Sequence, residues 1–201
     1  LKGELPWLSS LKKSGMDGFS DLGLPTLRNE SWRYTNLKSL GDFNWNKAAK
    51  DCDVGDLSWL SQNNTHRVVM VNGKFNHDLS ELGDLPDGVF IGSLKEALNS
   101  HGEILKAYLG KVAVSKDSPL ISLNTANMAD GYVILLEDAQ LMNTIEILNL
   151  GRPNEKAIAY HPRNLVVCEK QSQAKMVEYF SGPNEGVCFA NSVAEIFVDQ
   201  G

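Results

Sequence analysis

Cysteine is scarce in this chain: Cys52, Cys168 and Cys188 are the only three among 201 residues, and none stands at Cys-x-x-Cys spacing. An odd, sparse set with no export signal reads as reduced thiols, which fits the cytoplasm or an organelle stroma. No apolar run is long enough to span a bilayer, and Leu1 to Leu11 is too polar for a signal peptide, so no membrane partner is expected. Positive charge is also short. Lys and Arg number 19 against 25 Asp and Glu, for a net charge of −6. Residues 1–110 carry 12 basic and 14 acidic groups and residues 111–201 carry 7 and 11, a balance that argues against nucleic acid.

The usual catalytic signatures are missing as well. There is no Gly-x-x-x-x-Gly-Lys-Ser/Thr, no Gly-x-Gly-x-x-Gly, no His-Glu-x-x-His and no Gly-x-Ser-x-Gly. Nucleotide hydrolysis, dinucleotide binding, zincin proteolysis and serine-hydrolase chemistry lose their supports. His66, His77, His101 and His161 are scattered, none near a cysteine at metal-ligand spacing, and His161 before Pro162 reads as a turn residue. Glu169 and Glu178 could face one another across strands as a glycosidase pair, although carboxylates on solvent faces are commoner. No catalytic, cofactor-binding or metal residue is assigned, and the chain is expected not to be an enzyme.

What is present is a strand-rich C-terminal third. Asn164–Glu169, Ala174–Phe180 and Ser192–Val198 are short runs rich in β-branched and aromatic residues, set apart by Gly, Pro, Asn, Ser or Gln. Apolar runs ending on an acid recur at Glu137, Glu169 and Asp199, at nearly equal intervals. Such a period means coils stacked on one another, each burying its apolar face against the next. The expected fold is α+β: a mainly helical N-terminal domain over residues 1–130 with a small strand pair, then the start of a parallel β-helix over 131–201. The alternative is an ordinary sandwich or mixed sheet. On the β-helix reading, Cys168 and Cys188 could face each other on adjacent coils. The last coil would be uncovered, so the natural chain is expected to continue, and the present piece to self-associate or fray at its end.

Along the chain, Pro6–Leu11 predicts a short amphipathic helix, broken by Gly15, Gly18 and the Gly23-Leu-Pro25 step. Asn29-Glu-Ser-Trp-Arg-Tyr-Thr35 is read as an extended arm pinned by Trp32 and Tyr34, with a cation–π docking site as the other option. Residues 41–64, with apolar residues only at intervals such as Leu57, Trp59 and Leu60, read as loop with one short helix. Asp51, Asp53 and Asp56 lack the alternation of a calcium loop. Arg67–Val71 is a strand, Asn72-Gly73 a two-residue hairpin turn, and Asp87–Ile91 a second strand. Ser93-Leu-Lys-Glu96 is a capping box, with Gly102 and Gly110 as helix stops. Ser118-Pro119 opens a helix to Ala129 that could cap the first coil, before strands at Tyr132–Leu136 and Ile145–Leu150.

Four of these stretches, in this order, carry a resemblance. Glu30-Ser-Trp-Arg-Tyr-Thr35 after Gly23-Leu-Pro25, Val71-Asn-Gly-Lys-Phe75, Leu123-Asn-Thr-Ala126 with Asp130-Gly131, and His161-Pro-Arg-Asn-Leu-Val-Val167 with Glu178-Tyr-Phe180 resemble SufD of the SUF iron–sulfur cluster assembly system. The Trp-Arg-Tyr-Thr stretch looks more like SufD than its sibling SufB. The resemblance covers nearly the whole chain. It implies a helical N-terminal domain, a right-handed parallel β-helix and a C-terminal helical domain. It further implies a non-catalytic scaffold subunit that pairs with SufB and engages the ATPase SufC through C-terminal helices. The iron–sulfur cluster, and flavin, belong to the full complex, and no cofactor is expected in this chain. The chain stops within the β-helix, so the SufC-binding helices and the cluster-related Cys and His of the SufB interface have no counterpart here. Cys168 and Cys188 match no family site. The rival from another class is a β-helix enzyme or binding module acting on polysaccharide, and a third reading is a stand-alone structural adaptor.

Overall fold

The computed structural model describes residues 5–48, 52–55, 57, 65–115, 118–153, 155–183 and 185–200. Asp51, Asp56, Trp59 and Leu60 lie outside them.

Helix α1 (Pro6–Leu22) starts on Pro6, whose fixed φ suits a first helical turn, and ends at Gly23. It is longer than expected, because Gly15 and Gly18 continue it. The reason is packing against α4 (Pro119–Asn127): a Cβ at Gly15 would lie 2.6 Å from the Ala126 nitrogen and 2.8 Å from Thr125 Cβ. Glycine here admits a neighbouring backbone, which outweighs its cost of about 1 kcal/mol in helix propensity.

The arm that follows also departs from expectation. Glu30–Trp32 forms a 3₁₀ turn, Trp32 is only half-buried, and Tyr34 is 85% exposed, so it does not pin the arm to a core. Arg33 lies 4.6 Å over the Tyr34 ring and 3.4 Å from Glu30, a local stack on the surface. A second 3₁₀ turn covers Lys38–Asp42, and Asn46 forms a parallel bridge to Ile158.

Strands β1 (His66–Val71) and β2 (Lys74–Phe75) form the expected hairpin, with Asn72 and Gly73 both at positive φ, 50° and 74°. Both central residues of such a turn need the left-handed region, which Asn and Gly adopt with least strain. Strand β3 is Val89–Ser93, shifted toward the C-terminus of the expected Asp87–Ile91, and Ser93 begins the capping box of α2 (Leu94–Ser100). Its hydroxyl accepts from the Glu96 amide at 3.1 Å while Glu96 accepts from the Ser93 amide at 3.0 Å. Helix α3 (Gly102–Tyr108) follows directly.

The remaining strands are β4 (Tyr132–Leu136), β5 (Gln140–Leu150), β6 (Ile158–Tyr160), β7 (Arg163–Cys168), β8 (Gln173–Ser181), β9 (Cys188–Ala190) and β10 (Val193–Val198). Among the described residues they join with β1, β2 and β3 in three sheets, ordered β2-β1-β5-β8, β10-β7-β4-β3 and β6-β9. The pairs β4–β7, β7–β10, β5–β8 and β6–β9 are parallel, with partners such as Val133 and Leu165, Arg163 and Val193, Ile145 and Met176, or Ile158 and Cys188. Each of these offsets is close to the interval that separates Glu137, Glu169 and Asp199. The β1–β2 and β3–β4 pairs are antiparallel, and β1 pairs in parallel with β5, so both larger sheets draw strands from either side of Asp130.

Three apolar layers result. Val68, Met70, Tyr132, Ile134, Ile145, Ile147 and Val166 fill the space between the two larger sheets. Val133, Leu135, Leu165 and Val167, on the other face of the second sheet, pack against Leu8, Leu94 and Leu105 from the helices and Leu109 just after α3. Val69, Val71, Leu148 and Leu150 pack against Cys52, Val54 and Leu57. Because β4 is covered on both faces, its sequence is an unbroken Tyr-Val-Ile-Leu-Leu rather than an alternation.

Candidate functional site

Among the described residues, a dense gathering of polar groups is buried where β7, β10, α4 and the loop after α3 meet. Arg163 and Glu195 are both 0% exposed and lie 2.6 Å apart through Arg163 Nη2 and Glu195 Oε1. Position follows from register. Arg163 pairs with Val193, so Glu195 sits two residues along the adjacent strand on the same face, within reach of a long side chain. Arg163 Nε also donates to Glu195 at 3.0 Å. Its Nη1 donates to Asn124 Oδ1 at 3.3 Å and Thr125 Oγ1 at 3.1 Å, and Nη2 to the Ala113 carbonyl at 3.1 Å. The Glu195 carboxylate further accepts from the backbone amides of Gly110 at 2.7 Å, Val112 at 2.9 Å and Ala113 at 3.0 Å.

A buried pair survives only when such hydrogen bonds complete it. Burial works against the charge on Glu195, but the Arg163 guanidinium and the Gly110 and Ala113 amides outweigh it and hold the carboxyl below its ordinary range. A paired, fully enclosed carboxylate with its lone pairs taken is neither a base nor a ligand. The cluster is an internal clasp that fastens the loop after α3, and with it the helices, to the outermost strand β10. Asn124 extends it by donating to the carbonyls of Pro162 and Asn191, both at 2.8 Å, bridging successive strand starts.

Chemistry-bearing residues named from the sequence are kept apart. Cys168 ends β7 between Leu136 and Val198, whereas Cys188 lies on β9 beside Ile158 in another sheet, so the two do not face each other. The reason is that the segment from Cys168 to Cys188 is shorter than one full strand-to-strand repeat, so it carries the chain past a sheet corner and not to the adjacent rung. None of the three cysteines is joined in a disulfide. Burial pushes the Cys168 thiol up, and its Sγ lies 3.3 Å from the Ser172 carbonyl. Cys188 Sγ and Tyr160 Oη converge over Gly151, where a Cβ would come within 2.8 and 2.9 Å of them. Tyr160 is held protonated by burial and by this thiol, against the opposing charge of Arg152.

Glu169 and Glu178 do not face one another either. Glu169 follows β7 at one corner, while Glu178 lies on β8 beside Ile147 and accepts from Asn149 Nδ2 at 2.8 Å. Burial and the neighbouring Glu178 carboxylate keep the Tyr132 phenol protonated. His161 is half-buried, with Nδ1 3.2 Å from the Asn191 amide nitrogen and its ring edge-on to Phe189, and burial lowers its pKa to about 4. His66 Nδ1 is bonded to the Leu82 carbonyl, His77 faces Glu96 at 3.5 Å, and His101 packs at a tilt against Phe90 with centroids 4.5 Å apart. Among the described residues no three His, Cys, Asp or Glu side chains converge as a metal set would.

Comparison with known proteins bears on this architecture. Residues 2–147 match the family model of the SufBD protein N-terminal region. The chain belongs to the SufBD family. An iron-sulfur cluster assembly SufBD family protein of Synechocystis is 28% identical over 96% of this chain and 45% of its own length. A second SufBD family protein, from Trieres chinensis, is 28% identical over 57% of this chain and 22% of its own. A third, from Pyropia yezoensis, is 25% identical over 91% and 31%. The chain thus spans less than half the length of these curated relatives. No helix among the described residues is long and apolar enough to cross a membrane.

The Arg163–Glu195 clasp is not among the sequence expectations for this SufBD family chain, although a signal for it exists. Arg163 opens a strand and Glu195 is a lone charge inside an apolar one, the two are of opposite sign, and their separation equals the interval from Glu137 to Glu169.

Proposed function

We propose that this SufBD family chain is the N-terminal part of a SufD-type scaffold for iron–sulfur cluster assembly. It would pair with a SufB-like subunit and act alongside a SufC-like ATPase. The observation that carries the reading is the SufBD N-terminal match over residues 2–147. The parallel ladders supply physical support, because their common offset is that expected of the first coils of a parallel β-helix. In this reading the cluster is cargo handled at the level of the complex, as is flavin, and energy comes from the partner ATPase. The compartment is the cytoplasm or an organelle stroma. The buried clasp suits a rigid scaffold, since it commits its charged groups to cohesion and offers none to a substrate.

The test is depletion of the full-length protein in its source, followed by assay of iron–sulfur enzymes and of metal-free enzymes in the same extract. A selective loss of the iron–sulfur activities is expected. Equal activities in depleted and control cells would overturn the assignment, and a selective defect in polysaccharide turnover would favour the rival β-helix reading.

A further inference from the structure

A groove runs along the corner where β4, β7 and β10 end, and its two halves differ in chemistry. One half is an apolar slot of about 180 Å³ between the sheet and α3, walled by Val89, Phe90, Ile104, Leu135 and Val167 and closed by His101. The other is a wider hollow of about 450 Å³ beside Tyr108. Glu137 and Glu169 line both, so the two adjoin across these carboxylates. Register explains the acids. Leu136, Cys168 and Val198 are ladder partners, so the residues after them, Glu137, Glu169 and Asp199, fall on successive rungs about 4.8 Å apart. Asp138 adds a fourth carboxylate against one cation, Lys170. Among the described residues no ion pair reaches Glu137, Asp138, Glu169 or Asp199.

We propose that this groove is a docking site for a protein segment bearing a Lys or Arg beside a large apolar side chain. The apolar slot takes the apolar side chain and the aliphatic stem of the cation, and the stacked carboxylates take its charged head. Like charges one rung apart repel, and a cation placed between them removes that repulsion while completing two charge-assisted hydrogen bonds. A nucleic acid or other polyanion is the wrong sign. The clasp adds rigidity, because Glu195 of β10 anchors the strand that leads into Asp199. This inference rests on the groove and stands independently of the SufBD role.

The test is amide NMR on this chain titrated with the blocked peptide acetyl-Ile-Arg-Phe-Lys-amide and with its counterpart carrying Glu in place of both Arg and Lys. Saturable, salt-sensitive shifts confined to residues 88–90, 101–108, 135–138 and 167–171 are expected with the basic peptide alone. Glu137→Gln combined with Glu169→Gln should weaken binding about tenfold, with the rest of the spectrum unchanged. Glu155→Gln combined with Glu185→Gln, exposed acids elsewhere, should leave it as it was. Absence of saturable binding would overturn the proposal. So would shifts scattered over the acidic surface, equal binding of the acidic peptide, or equal losses in the two double variants.

Discussion

Glu195→Ala should be among the costliest single substitutions in the chain, and its cost can be worked from the contacts. The carboxylate accepts five hydrogen bonds, three from the Gly110, Val112 and Ala113 amides and two from Arg163. Its removal strands the Arg163 charge at 0% exposure with Asn124, Thr125 and the Ala113 carbonyl as its remaining partners among the described residues. Breaking a buried pair from one side costs about 3–5 kcal/mol, set against a total stability of roughly 5–15 kcal/mol. With a urea slope of about 2–3 kcal/mol per molar, the midpoint should fall by about 1–2.5 M. Urea titration followed by far-ultraviolet circular dichroism reads this directly. Replacing both residues, as Arg163→Met with Glu195→Leu, should cost less than the sum of the single changes, because neither charge is then left alone. Acid supplies a second arm. Glu195 has a folded pKa below 4.5, so its contribution is full above that value and is lost as pH falls through the folded one. The gap between parent and Glu195→Gln should therefore narrow below pH 4.5. A Glu195→Ala midpoint within about 0.3 M of the parent, or strictly additive single costs, would refute the reasoning.

Other outcomes follow from the same geometry. Asp130 titrates with the opposite sign: burial raises its carboxyl above 3.8 despite bonds from Phe75 and Gly131, and its Oδ1 lacks a partner among the described residues. Its contribution is therefore full below the ordinary carboxyl value and declines as pH rises through the raised one. Asp130→Asn should leave the melting temperature at neutral pH unchanged or raise it, as thermal unfolding will show. Gly15→Val should drive α1 off α4 and lower stability by about 2 kcal/mol or more, measured in urea, because the nearest obstacle is backbone. The His161 ring should titrate by NMR with a midpoint of about 4, so that the neutral form prevails at neutral pH.

Much of the fold is legible because the local signals agree with the tertiary result. The Asn72-Gly73 turn, the Ser93–Glu96 capping box and the Gly102 break are chemical statements about φ or a helix end, and each holds whatever packs around it. The acid repeat is legible for a different reason. A ladder with a near-constant offset puts equivalent residues on equivalent corners, and Glu169 and Asp199 donate their amides to the carbonyls of Leu136 and Cys168 at 2.9 Å. Where sequence and structure part, the deciding contact is distant along the chain. Gly15 looks like a helix breaker until α4, far along the sequence, needs its surface. Strands β6 and β9 are three residues each, too short to show a period, and take their extended form from each other and from Asn46. Tyr34 looks like an anchor because aromatic residues usually bury, yet its ring stacks on the adjacent Arg33 at the surface. The clasp is hidden because a charge in a strand reads as a solvent-facing position unless its partner on the next rung is identified.

Membership of a multi-subunit iron–sulfur scaffold is tested most directly by anaerobic affinity purification of the full-length protein from its source, with mass spectrometry of what accompanies it. Stoichiometric recovery of an ABC-type ATPase and a second SufBD family subunit is the result expected. Recovery of the protein alone, or with carbohydrate-related partners, would contradict it.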